Sequence, residues 1–356
     1  MNIFGSRFVI IAASVFSISL PVISFVQNAP AAGLNSAPEF ETALREAGTM
    51  PKLYSLLVSH KDELLLEHYF NGSKPDKPVN IKSASKSVMS ALVGIAIKQG
   101  HIKGTDQSIA DYFGDKLASE ADQTKKTITI KNLLTMQAGL ASTSSRNYGA
   151  WVMSKDWIAY ALKQPISSTP GTLMQYSTGN THMLSAILTQ ATGMDTLAFA
   201  RMALAEPLGF HLAAWPRDPQ GIYFGGNDME LTARQMLKFG QLYLNKGKMN
   251  GKQIIPAEWI AVSLQRHAES TREQDRYYGY GWWIRDMAGI ETQYAWGYGG
   301  QYIILVPQLE LVVVTTSSST PDSDRRGHRR RVNNLIETYI IKPMAERLNQ
   351  ARVSLN

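Results

Sequence analysis

The residues Ser83-Ala84-Ser85-Lys86 stand at the head of an apolar, helix-patterned run. Side chains three apart lie on one helix face, so the amine of Lys86 can reach the hydroxyl of Ser83. A free hydroxyl is a poor nucleophile until a base takes its proton, and an amine can do so only when neutral. Burial drives a lysine towards that neutral state. The first turn of a helix also offers unpaired N–H groups and a positive dipole end, which stabilise negative charge formed beside it. Taken alone, the tetrapeptide also describes a serine capping a helix ahead of a solvated lysine. The following residues Val88, Met89, Leu92, Val93, Ile95 and Ala96 cover more than one face, which predicts a buried helix and a buried lysine.

Two further segments carry chemistry-bearing types. Pro170 to Asn180 places Tyr176 in a turn at a helix mouth, from which a phenol can enter a cleft or pack into the core. Trp296-Gly297-Tyr298-Gly299-Gly300-Gln301 leads into a strand. Glycines there suit a close approach of backbone N–H groups to a substrate oxygen, or a β-bulge with no ligand.

In this order, the three segments resemble the serine β-lactamase and penicillin-binding-protein superfamily. The likeness is to its class C-like branch, with family VIII esterases and 6-aminohexanoate-dimer hydrolases. It extends to the stretch from Ile128 to Leu140, to Pro207-Leu208-Gly209-Phe210 and to Leu231-Thr232-Ala233-Arg234. The resemblance implies that Ser83 attacks a carbonyl to form an acyl-enzyme, with Lys86 and Tyr176 sharing general-base and general-acid work. It implies an oxyanion hole from the N–H groups of Ser83 and Tyr298, and substrate contacts at Trp296, Gly297, Gly299 and Asn180. It implies a hydrolase of small esters or amides. The alternatives are a D-amino-acid peptidase or β-lactamase acting on peptidoglycan-like substrates, or a penicillin-binding receptor that is acylated without turnover.

Two positions depart from the pattern. Thr178 stands two residues after the tyrosine, where class C enzymes place Asn, and Asn180 follows two residues later. Trp296 stands where the third motif carries Lys or His. An indole cannot hold a carboxylate, so neutral esters or amides are the expected substrates and efficient β-lactam hydrolysis is not expected.

The elements that must position these residues are legible as patterns. Leu53–Val58 and Leu64–Phe70 read as a hairpin, and Tyr280–Asp286, Gln301–Val306 and Leu311–Thr316 as later strands. Helices are predicted over Ser83–Gln99, Gly179–Thr192, Leu231–Asn245 and Val332–Asn349. The fold class expected is α+β and β-lactamase-like. Residues 40–80 and 265–356 form one antiparallel sheet with flanking helices, and residues 81–264 an inserted, mainly helical region. The basic run from Arg325 to Arg331 is expected as a solvated loop entering the last helix. Tyr148, Trp151, Trp157, Trp215 and Tyr223 fit either an aromatic acyl pocket or the core.

Arg7, an apolar stretch through Phe25 and Ala29-Pro30-Ala31-Ala32 form a signal-peptide pattern over residues 1–31. A secreted, periplasmic protein without stable membrane insertion after cleavage is expected, an uncleaved anchor being the alternative. The 356 residues contain no cysteine, which removes disulfides, thiolate catalysis and Cys-based metal sites. Apolar content of 44% and charged content of 18% fit a folded domain rather than a disordered one. The formal charge of +7 comes without an interleaved aromatic groove, so no nucleic-acid partner is expected. The seven histidines show no metal-ligand spacing, and no phosphate loop or dinucleotide fingerprint occurs; neither metal nor cofactor is expected. No G-x-S-x-G motif is present either.

Overall fold

The computed structural model describes Met1 and residues 40–118, 123–321 and 323–353. The signal-peptide pattern lies outside these. The centre of the molecule is an eight-stranded antiparallel sheet. Its strands are β1 (Leu53–His60), β2 (Glu63–Tyr69), β3 (Ala268–Glu269), β4 (Tyr277–Tyr278), β5 (Trp283–Met287), β6 (Ile290–Gly297), β7 (Gln301–Val306) and β8 (Leu311–Ser317). The lateral order is β2-β1-β8-β7-β6-β5-β4-β3, so the two ends of the fold meet where β1 pairs with β8.

The central strands are apolar throughout because both faces of the sheet are covered. Alternate residues serve different cores. Ile303, Leu305, Val312 and Val314 face the one shared with the inserted helices. Tyr302, Ile304, Val306, Leu311 and Val313 face a second, built with the first and last helices. Helices α1 (Glu41–Gly48), α2 (Ser85–Lys98), α3 (Thr178–Thr192), α4 (Ala233–Leu244) and α5 (Arg325–Ile336) are the ones that matter here. Helix α4 lies close against the sheet because Gly240 has no side chain; a Cβ there would come within 2.6 Å of Val312. Its start is a capping box, Thr232 with Gln235, where the sequence placed the helix signal.

Helix α2 is buried along Ser85–Ala96, as its all-round apolarity predicts. It ends at Gln99, and Gly100 takes the left-handed conformation (φ 78°). Helix α3 likewise ends at Gly193 (φ 68°).

Two expectations need correction, and one strand went unforeseen. The strand expected over Tyr280–Asp286 is broken. Gly279 N–H donates back to the Trp282 carbonyl at 2.8 Å, and only Trp283–Met287 pairs as β5. The break docks on α2: Ser87 Oγ donates to the Gly281 carbonyl at 2.6 Å, and Gly281 has φ 79° with Lys86 O against it. Strand β6 was not foreseen, because Thr292 and Gln293 are buried polar residues that break an apolar pattern. The last helical region begins at Arg325, seven residues before the expected Val332, so the basic run is helix α5 and not a loop. Its apolar face starts only at Val332, which is why the earlier turns were hidden.

Candidate active site

Ser83 sits in a 3-10 turn, Lys82–Ala84, that runs directly into α2. The turn is pinned from several sides. Ile81 N–H donates to Met229 O at 2.9 Å, Ser85 Oγ donates to Lys82 O at 2.6 Å, and Met229 N–H donates to Ser85 Oγ at 3.2 Å. Lys82 holds φ 50° and pairs with Asp228 at 2.9 Å, and Asn80 Nδ2 donates to the same Asp228 oxygen at 2.7 Å. Left-handed backbone at a non-glycine residue costs free energy, and these bonds offset it.

Lys86 is 1% exposed. Its Nζ lies 3.2 Å from Ser83 Oγ, 3.4 Å from Thr178 Oγ1 and 2.6 Å from the Gly226 carbonyl, to which it donates. Burial among apolar helices brings its pKa from 10.5 down to about 7, while the Asp228 charge opposes the fall. The amine therefore stands in hydrogen-bond reach of the hydroxyl, in an environment that favours its neutral form. Gly226 makes room for it: a Cβ there would lie 3.2 Å from Lys86 Nζ and would strike the Thr181 hydroxyl.

Tyr176 enters the same point from the loop before α3. Its ring lies 5.1 Å from Lys86 Nζ and stacks on Trp283 at 5.6 Å. Burial pushes the phenol up to about 12, and the Ser83 hydroxyl opposes that rise. These surroundings favour the protonated phenol over the phenolate.

The segment Ala141–Ser145, which the sequence reading passed over, holds the mouth of α3 in place. Ser142 Oγ donates to Tyr176 O at 2.7 Å, Gly179 N–H donates to Thr143 Oγ1 at 2.9 Å, and Thr178 N–H donates to Ser144 Oγ at 2.9 Å. Ser144 Oγ also lies 2.9 Å from Thr178 Oγ1, so hydroxyls continue from Lys86 outward. A run of Ser and Thr directly after the Ile128–Leu140 stretch was the available signal, because such side chains cap helix ends.

A further buried pair buttresses the lysine. His182 Nε2 lies 2.9 Å from Asp218 Oδ2 with both side chains fully buried, and Gly225 N–H donates to His182 Nδ1 at 3.4 Å. That acceptor role fixes the proton on Nε2. Gly225 precedes the residue whose carbonyl holds Lys86. The ring is enclosed by Trp151, Trp157 and Phe224.

Ser83, Tyr176, Thr178, Trp296 and Tyr298 line one cleft of about 730 Å³. Asn180 does not line it: its side chain is buried in α3, and Thr178 occupies the position beside the lysine. Gly297 and Gly299 act through close packing. A Cβ on Gly297 would strike Ile81 O, next to the nucleophile turn, and one on Gly299 would strike Ser318 O. Of the five aromatic residues that fitted either pocket or core, Tyr148 lines the cleft. Trp151, Trp157, Trp215 and Tyr223 are core.

Trp296 is one of the residues that line this cleft. The indole carries no charge, yet Arg329 of α5 lies 5.3 Å from its ring, and Arg272, Arg276 and Arg329 all line the cleft. The cations come from the hairpin between β3 and β4 and from the last helix, elements far in sequence from the motif.

Known proteins can now be set beside this geometry. A family model described as Beta-lactamase matches residues 40–336. The 6-aminohexanoate-dimer hydrolase of Paenarthrobacter ureafaciens is 25% identical over 316 residues, covering 81% of this chain and 77% of that protein. Among solved structures, EstCE1, a hydrolase with promiscuous acyltransferase activity, superposes with a TM-score of 0.66 at 18% identity, covering 84% of this chain and 96% of its own. A penicillin-binding protein homolog from Caulobacter crescentus gives a TM-score of 0.67 at 15% identity, with 85% and 98% covered. The antiparallel sheet and its flanking helices are shared with these folds, and the match along residues 40–336 makes this chain a serine hydrolase of the Beta-lactamase family.

Proposed function

We propose that the protein is an exported hydrolase that opens small esters or amides through an acyl-enzyme on Ser83. The observation that carries this reading is a neutral-leaning amine, Lys86, 3.2 Å from the Ser83 hydroxyl and closed off from solvent. In the reaction, Ser83 Oγ attacks the carbonyl carbon and its proton passes to Lys86 Nζ. The N–H groups of Ser83 and Tyr298, both on the cleft wall, take the oxyanion. As the tetrahedral adduct collapses, the Tyr176 phenol protonates the departing alcohol or amine and is reprotonated by the Lys86 ammonium. Water then attacks the ester on Ser83 by the same steps in reverse.

The raised phenol and lowered amine divide the work, with the base role falling to Lys86 and the acid role to Tyr176. The 6-aminohexanoate-dimer hydrolase relative supports amides as a substrate class, and EstCE1, a hydrolase with promiscuous acyltransferase activity, supports acyl transfer through the enzyme. Export rests on the sequence pattern of residues 1–31.

The test is intact-mass spectrometry with turnover of p-nitrophenyl esters and anilides. A transient acyl adduct on Ser83 that Ser83→Ala lacks is expected. Turnover that survives Ser83→Ala would contradict the reading, and an adduct that persists would make the protein a receptor.

A further inference from the structure

Helix α3 reaches Lys86 twice, once directly and once through a loop that it grips from the side. Thr178 Oγ1 stands 3.4 Å from the amine. One and two turns further along the same helix face, His182 and Ser185 hold the loop that delivers the Gly226 carbonyl. Ser185 Oγ donates to Tyr223 O at 2.7 Å, Gly225 N–H donates to His182 Nδ1 at 3.4 Å, and Gly226 O accepts from Lys86 Nζ at 2.6 Å. The loop can press on the helix because Gly225 has no side chain; a Cβ there would strike Thr181 O.

Asp218 sets the proton of the imidazole. Its Oδ1 accepts from the N–H groups of Gln220 and Ile222, each at 2.9 Å, and its Oδ2 faces His182 Nε2 at 2.9 Å. A carboxylate only accepts, so Nε2 carries the proton and Nδ1 keeps the lone pair that Gly225 needs. Both side chains are fully buried, in a cage that includes Trp151, Trp157 and Phe224, and neither lines the cleft. A buried polar pair is costly unless its atoms are partnered, and apolar side chains of similar size would fill such a cage as well. What the pair supplies, and an apolar filling lacks, is an acceptor for Gly225.

We propose that Asp218 and His182 are positioning residues for the general base. By fixing the imidazole tautomer they hold the Gly225-Gly226 segment, and through the Gly226 carbonyl they hold the Lys86 amine in register with Ser83. The role rests on the hydrolase reading of Ser83 and adds to it what sets the place of the base. Neither residue exchanges a proton with substrate.

The tautomer provides the test. An Asn at position 218 keeps its oxygen on the two backbone donors and turns its NH₂ towards the ring. The ring must then accept at Nε2 and carry its proton on Nδ1, against the Gly225 N–H. Asp218→Asn is expected to lower kcat on a p-nitrophenyl ester about 100-fold, with KM within about twofold, as for a misplaced base and intact binding. In the double variant His182→Phe/Asp218→Asn the opposing N–H is gone and the cage stays filled, so about tenfold of kcat is expected to return. A pair that only stabilised the fold would leave the double variant no faster than the single one. NMR of ¹⁵N-histidine-labelled protein reads the tautomer without turnover: the proton is expected on Nε2 in the wild type and on Nδ1 in Asp218→Asn. A wild-type proton on Nδ1, an Asp218→Asn kcat equal to wild type, or a double variant as slow as the single one overturns the inference while the Ser83 reading stands. Should Asp218→Asn not fold, the double variant decides: kcat about tenfold below wild type with KM unmoved supports the role, and wild-type kcat contradicts it. If the wild type turns over no ester, or Ser83→Ala keeps the turnover, the hydrolase reading fails and this role at Lys86 fails with it.

Discussion

A lysine buried behind Ser83 and an arginine on the cleft wall have opposite fates. Lys86 is sealed among apolar helices, with a backbone carbonyl and hydroxyls as its neighbours, and burial brings its pKa down to about 7. Arg329 stands 35% exposed at the other end, over an indole and within reach of Glu273. Guanidinium keeps its proton in either setting, whereas an amine yields it to desolvation. The difference teaches that residue type and surroundings together decide how readily a cation gives up its charge.

The contrast breaks most completely at the lysine. Lys86→Met is expected to lower kcat/KM by about 10³-fold or more, in the range for loss of a general base and its nucleophile activation. The same variant should be more stable at neutral pH. The folded lysine titrates near 7 and the unfolded one at 10.5, so between these values the unfolded chain binds the extra proton. Wild-type stability therefore rises with pH across that window, and thermal melts should show the advantage of Lys86→Met shrinking from pH 7 to pH 10.

Gly226→Ala tests the position of the amine rather than its presence. The added methyl meets Lys86 Nζ and the Thr181 hydroxyl, and a loss of about 10- to 100-fold in kcat is expected from the misplaced base. The pH profile is the next sharpest probe. With Lys86 as base, kcat/KM should fall about tenfold per unit below pH 7 as the amine protonates. A profile that stays flat down to pH 5 on a neutral ester would contradict this. Smallest is Thr178→Val, which removes the hydroxyl 3.4 Å from Lys86. A few-fold drop in kcat is expected, as for loss of one modest hydrogen bond.

The two regions were unequally legible in the sequence. Ser83 and Lys86 are three residues apart on one helix, so spacing alone brings them together. Tyr176 and the Gly297 strand were readable only through their order along the chain. The arginines that line the cleft were not readable. Arg276 and Arg329 lie 53 positions apart in sequence, and their meeting depends on the lateral strand order and on α5 starting where no apolar face announces it. Asn180 misled because a polar residue near the motif was taken to face the cleft, while helix rotation turns it into the core. Strand β6 hid for the related reason that sheet interiors accept satisfied polar residues such as Thr292, whose hydroxyl donates to Ile290 O at 3.0 Å.

The account depends most on a neutral amine beside Ser83. An NMR titration of the Lys86 side chain, with ¹³C-labelled lysine and Lys86→Met to assign the resonance, measures that state directly. A midpoint near 7 is the result this geometry predicts; a midpoint at the ordinary lysine value of 10.5 would contradict it.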